Sequence, residues 1–290
     1  MPLFFFISGC LFKIKNTESF MVSLKNTLIL PYLYISLICF CLGWCILYLL
    51  GGFSLKLMAK DVIGIVTGGD FYGYGNMTFS GPLWFLYSLI IIKILAQYSI
   101  GRKWILGGGI LTSFISLYWG NILPLRMDSS LVGFLFFITG WYCKDIIIRF
   151  VRARWVEYPT LIIGVALIVL DAWMNIDFKS NQPLSVNVLY FGKYPILFYW
   201  GAIGGIAFIF SISKILSGIK SSFILECSNG MIVILGFQCL IFKVMALVID
   251  PTYTYIGSVL TSMVVFFMCY VLIRFSSRYV PAIIGFRRIR

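Results

Sequence analysis

The sequence predicts an all-α, polytopic integral membrane protein, and three observations carry that prediction. Its 290 residues are 61% hydrophobic and only 11% charged, with a mean hydropathy of +0.99, whereas soluble domains keep about a quarter of their residues charged. Apolar runs recur at lengths that suit a bilayer, whose hydrocarbon core of about 30 Å takes about 20 helical residues. Lys and Arg alternate between the connections, dense in one set and sparse in the other.

Taken in order, residues 1–12, MPLFFFISGCLF, form an apolar run that covers only about 18 Å at the helical rise. A secretory signal would place basic residues before such a run, and here Lys13 and Lys15 follow it. The expectation is the second half of a membrane helix whose first half lies upstream of Met1. Eight further runs, 27–50, 83–100, 105–122, 131–148, 161–176, 196–215, 232–249 and 256–273, are long enough, or nearly so, to cross. With the opening stub they make nine transmembrane helices in one domain, 1–290, without a convincing internal repeat. The longest connection, 51–81, is too short and too rich in Gly, Tyr and Phe to be a soluble domain.

Orientation follows from the basic residues. Lys13, Lys15, Lys25, Arg102, Lys103, Lys144, Arg149, Arg152, Arg154, Lys214, Lys220, Arg274, Arg278, Arg287, Arg288 and Arg290 make sixteen on one side; Lys56, Lys60, Arg126, Lys179 and Lys193 make five on the other. Basic residues in short loops stay in the cytoplasm. The larger set is therefore cytoplasmic, residue 1 and the loops 51–81, 123–130, 177–195 and 250–255 face outside, and nine crossings place the C-terminal FRRIR inside. The net charge of +13 is thus spread over short loops at the membrane rather than on one soluble face. That distribution speaks against nucleic acid as a partner and for topology and anionic membrane lipid.

The eight cysteines lie in or at the ends of apolar runs, without a CxxC pair in an aqueous loop, so disulfides are not expected. Cys41 and Cys45 share a helix face that Cys39 does not; two thiols are too few for a closed metal site, and small residues serve as packing surface in lipid. There is no histidine, which removes the commonest metal ligand and general base together. Glycines at 68–69, 107–109, 201 and 204–205 lack the strand-turn-helix setting and Lys-Ser/Thr ending of a phosphate loop.

Several residues stand out on chemistry alone. Lys93 lies about ten residues inside its run, where a charge costs roughly 2.5–3.5 kcal/mol at the bilayer centre; it could pair, orient a carbonyl, or snorkel to the headgroups. Lys243 and Asp171 lie nearer the outer interface. Trp84 and Tyr87 fit either an aromatic belt or a sugar-stacking platform, and Ser88, one turn on from Trp84, either contacts a substrate or satisfies its own helix. Glu226 and Asn229 are placed to cap the run that follows them.

Four stretches, MPLFFFISGCLFK at 1–13 with LILPYLYISLI at 28–38, GPLWFLYSLIIIKIL at 81–95, LVGFLFFITGWYCKD at 131–145 and CSNGMIVILGFQCLIF at 227–242, together resemble the bacterial membrane acyltransferase-3 family, in the branch similar to fucose O-acetylases and other sugar acetyltransferases of surface polysaccharides. The resemblance spans essentially the whole chain. It implies a scaffold of about ten membrane helices in the bacterial inner membrane, of which the first is missing here, and transfer of an acyl group, commonly acetyl from acetyl-CoA, to a hydroxyl of a glycan or lipid-linked sugar. It also implies a histidine on that first helix, upstream of Met1, and a second one at the position aligned with Gln238. Glutamine can hydrogen-bond a substrate but cannot take a proton near neutral pH, so little or no turnover is expected of this chain.

A cytoplasmic polyanion such as acetyl-CoA needs basic groups where its phosphates arrive. Lys13, Lys15 and Lys25 in the first cytoplasmic loop, with Arg102 and Lys103 in the next, are the donor-binding candidates, against the simpler role of anchoring topology. Trp84, Tyr87 and Ser88 are the acceptor candidates, and Gln238 and Lys93 the only candidates for the chemistry. A lipid-linked sugar transporter or flippase is the alternative, although no paired broken helices are evident in the sequence. A degenerate, non-catalytic remnant is the third reading.

Overall fold

A computed structural model describes residues 1–69, 75–119, 123, 125–153, 155–175, 184, 186, 189–219, 221–248 and 255–279. It is all-helical, with no strand among the described residues: α1 (Pro2–Cys10), α2 (Thr17–Leu24), α3 (Leu30–Leu49), α4 (Leu55–Thr67), α5 (Trp84–Ser99), α6 (Lys103–Trp119), α7 (Met127–Tyr142), α8 (Lys144–Arg152), α9 (Glu157–Asn175), α10 (Pro195–Ile215), α11 (Ser222–Asn229), α12 (Met231–Val248) and α13 (Tyr255–Tyr279). Prolines 2 and 195 stand in first turns, where an N–H is unpaired anyway. Asn16 starts α2 by accepting a hydrogen bond from the Ser19 N–H at 3.3 Å.

Five helical stretches are long and apolar enough to cross a membrane: Thr17–Leu49, Gly81–Ser99, Glu157–Asn175, Pro195–Gly218 and Gly257–Tyr279. The number rises to seven if two bent pairs each count as one, Met127–Tyr142 with Lys144–Arg152 at 55° and Ser222–Asn229 with Met231–Ala246 at 76°. The predicted nine are not reached among the described residues. The remaining two apolar runs became α1, of nine residues, and α6, of seventeen among the described residues.

Several predicted boundaries change. The first long span starts at Thr17 rather than 27, because a π turn over Lys25–Ile29 joins α2 to α3 without a break; Lys25 therefore sits within a helix and not in a loop. The run 131–148 is interrupted at Cys143, after which α8 carries Lys144, Asp145, Arg149 and Arg152 on a short amphipathic helix. Glu226 and Asn229 close α11 rather than open α12. Glu226 is engaged with α13, accepting from Tyr270 Oη at 2.9 Å and Arg274 Nε at 3.0 Å. Arg154, Lys179, Lys220, Arg287, Arg288 and Arg290 of the charge pattern lie outside the described residues.

The chain divides into two compact units. In the first, residues 1–15 and 91–220, α1 lies directly on α7. A Cβ on Gly9 would stand 1.9 Å from the Phe137 carbonyl oxygen, and one on Gly140 would stand 2.0 Å from that of Phe6. Only glycine permits this approach, and close backbone packing is what holds helices together where lipid offers no hydrophobic drive. Cys10 Sγ donates to the Gly140 carbonyl at 3.1 Å, and the Phe12 ring meets Phe137 edge-on at 5.4 Å. In the same unit α9 and α10 pair through Gly164 and Gly204, each 2.8 Å from a Cβ built on the other.

The second unit comprises residues 16–90 and 221–290. Here α3 meets α12 where a Cβ on Gly236 would lie 2.3 Å from Ile35 Cγ2, and Cys39 Sγ donates to the Gly236 carbonyl at 3.6 Å. α4 lies in the connection where no element was predicted. It is anchored by Asp61, 2% exposed, which accepts from Trp44 Nε1 at 2.9 Å, Thr78 N at 3.2 Å and Thr78 Oγ1 at 2.7 Å.

Candidate functional site

The second unit contains a cavity of about 460 Å³ between α12 and α13, with Pro82 of the GPLW turn on its wall. Gln238 projects into it from α12, beside Cys239 and Phe242; Ser262 and Cys269 face it from α13. The Gln238 amide makes no hydrogen bond among the described residues, so both its donor and its acceptor atoms are available to a bound molecule. Position 239 is held in register by its own thiol, which donates to the Thr78 carbonyl at 3.6 Å. Thr78 is in turn held by Asp61. The buried Asp61–Trp44–Thr78 network thus supports one wall of the cavity through a chain of contacts.

Sequence reasoning missed Asp61. A signal existed: residues 55–67, LKLMAKDVIGIVT, place Leu55, Met58, Val62 and Ile65 at helical spacing, which makes a carboxylate in that stretch a candidate anchor.

The predicted acceptor residues do not line this cavity. Trp84 is 5% exposed, its ring packed edge-on against Phe85. Tyr87 packs 5.9 Å from Tyr32 and against Gly68, whose φ of +79° gives it the left-handed turn ending α4. Ser88 is fully buried, its hydroxyl without a partner among the described residues. A sugar-stacking ring needs an open face, and in this conformation Trp84 and Tyr87 act as packing groups beneath the GPLW turn.

The donor candidates fall into two groups. In the first unit, Lys13, Lys15, Arg102 and Lys103 are all exposed. Gln97, near the end of α5, joins them: its Oε1 accepts from the Lys15 N–H at 3.4 Å, and its Nε2 donates to the Lys15 carbonyl at 2.5 Å. The loop bearing Lys13 and Lys15 is thereby tied to the helix end that runs into Arg102 and Lys103. Lys93 lies one turn before Gln97, close enough to Lys15 for their charges to interact, and makes no ion pair among the described residues. Lys25, exposed in the π turn, belongs to the second unit.

Fold and sites define the class as an all-helical, membrane-embedded protein with a cavity between helices and an exposed basic cluster at a helix end. Compared with protein-family models, with curated proteins and with solved structures, the chain finds no match in any of the three.

Proposed function

We propose that the chain is a membrane O-acyltransferase-type protein of the inner membrane. Its scaffold is acyltransferase-3-like, with the five to seven apolar spans of the described residues as its membrane part and the C-terminus cytoplasmic. Acetyl-CoA approaches Lys13, Lys15, Arg102 and Lys103, which meet its phosphates, and the acceptor is a hydroxyl of a surface polysaccharide or lipid-linked glycan. In the transfer the thioester C–S bond breaks, an ester C–O bond forms, and the hydroxyl proton passes to the CoA thiolate. Gln238 orients the acceptor by hydrogen bonding, and Lys93 is the nearest cation to the basic cluster that could hold an acyl carbonyl.

One observation carries this reading: Gln238, the position the family resemblance aligns with a histidine, opens with an unpaired amide into a cavity in the usual size range of small-molecule sites. Donor binding does not depend on a catalytic base. Photo-crosslinking of labelled acetyl-CoA to the chain in membranes is therefore the test. Labelling is expected, and replacing Lys13, Lys15, Arg102 and Lys103 by Gln should lower it by about tenfold or more. Absence of labelling overturns the proposal.

The transporter reading has a specific observation in its favour. Each unit contains one bent helix pair, α7–α8 and α11–α12, and interrupted helices in both halves of a chain are a feature of transporters. A flippase would ignore acetyl-CoA and would move a labelled lipid-linked sugar across vesicles, so the same preparation separates the two.

A further inference from the structure

The first unit holds a second cavity, of about 520 Å³, that neither reading uses. Its walls are apolar: Phe6 from α1, Ile203 and Phe210 from α10, and Ile146, Ile147 and Phe150 from α8. Among the described residues, Arg149 is the one charged residue on its lining. Arg149 is exposed and makes no hydrogen bond or ion pair among the described residues.

The position of α8 says what this cavity faces. The helix bends 55° away from α7 and carries charge on one side and Ile and Phe on the other, the pattern of a helix lying along a membrane surface. Immediately after it Trp155, 73% exposed, stacks on Tyr158 at 5.9 Å, an exposed aromatic pair of the kind that sits at headgroup depth. The arrangement is preformed: Lys214 Nζ donates to the Phe150 carbonyl at 2.8 Å and to that of Ala153, and pairs with Glu157 at 2.8 Å, fixing the end of α8 to α10. An unpaired guanidinium at the headgroup level, above an apolar cavity, matches a molecule with a phosphate at one end and a hydrocarbon chain at the other.

We propose that this cavity seats one acyl chain of an anionic phospholipid whose phosphate is held by Arg149. The purified full chain in mild detergent is titrated with long-chain phosphatidylglycerol, with phosphatidylcholine of the same chains, and with short-chain phosphatidylglycerol, and bound lipid is counted by native mass spectrometry. Long-chain phosphatidylglycerol should be retained at a concentration about tenfold below that for phosphatidylcholine, Arg149→Gln should remove that preference, and the short-chain lipid should not be retained. Arg149 is exposed, so its replacement leaves the packing intact. Equal retention of the two long-chain lipids, a preference that survives in R149Q, or retention of the short-chain lipid equal to that of the long one would each overturn the proposal.

Discussion

α4 and α8 are both short amphipathic helices apart from the long straight spans, yet opposite devices hold them. α4 turns its one carboxylate inward, and Asp61 gathers three donors from α3 and the 76–79 segment. α8 leaves Arg149 facing outward and is held from outside itself, by a lysine of α10 bonded to carbonyls at its C-terminal end. A buried charge must be satisfied wherever it goes, so α4 is committed to one position. A helix pinned at its carbonyl end keeps its apolar face over a cavity, available to a ligand.

The strongest way to break this contrast is Asp61→Leu, which strands the Trp44 indole N–H and the Thr78 donors. It should cost about 4 kcal/mol, seen as faster hydrogen exchange across α4 with exchange across α8 unchanged. Equal loosening of both helices would show that Asp61 is not a local anchor. Next is Gly64→Ala, where the new Cβ would meet the Asn76 carbonyl oxygen at 1.7 Å; displacement of α4 should lower thermal stability in detergent by about 3 kcal/mol.

Lys214→Met tests the other side. It unpairs Glu157 and frees the last carbonyls of α8, and exchange should rise over 144–152 while α4 stays protected. Smallest is Arg149→Gln, which should leave stability within about 0.5 kcal/mol, since the guanidinium bonds to nothing among the described residues. A large loss there would mean that Arg149 is structural, and would sharpen the comparison by giving α8 an anchor of its own.

How much was legible depended on the kind of residue. The long spans could be read because lipid forces every backbone group into a helix and demands about 20 apolar residues; 157–175 and 195–218 obey that rule. The breaks at Cys143 and Gly230 could not be read. No proline marks either, and the close approach of Ile273 at Gly230 comes from a helix more than forty residues away in sequence. Lys25 was misplaced for a related reason: a π turn absorbs the polar KNT stretch that looked like a loop. At the candidate site, Gln238 was marked only by the family resemblance, while Trp84 and Tyr87 looked equally available and became buried and half-buried packing groups.

The sequence by itself determined that this chain lives in a membrane and is helical, because hydropathy and the cost of bare backbone in lipid act locally. It also marked the basic residues around the first loops, since charge between apolar runs is conspicuous without coordinates, and Gln238 through the family resemblance. Which glycines let backbones touch, where the helices bend, that Asp61 is an anchor, and that Arg149 stands over an apolar cavity were decided only by tertiary structure. Each of those depends on what a distant segment brings within a few ångströms, and no local pattern encodes it.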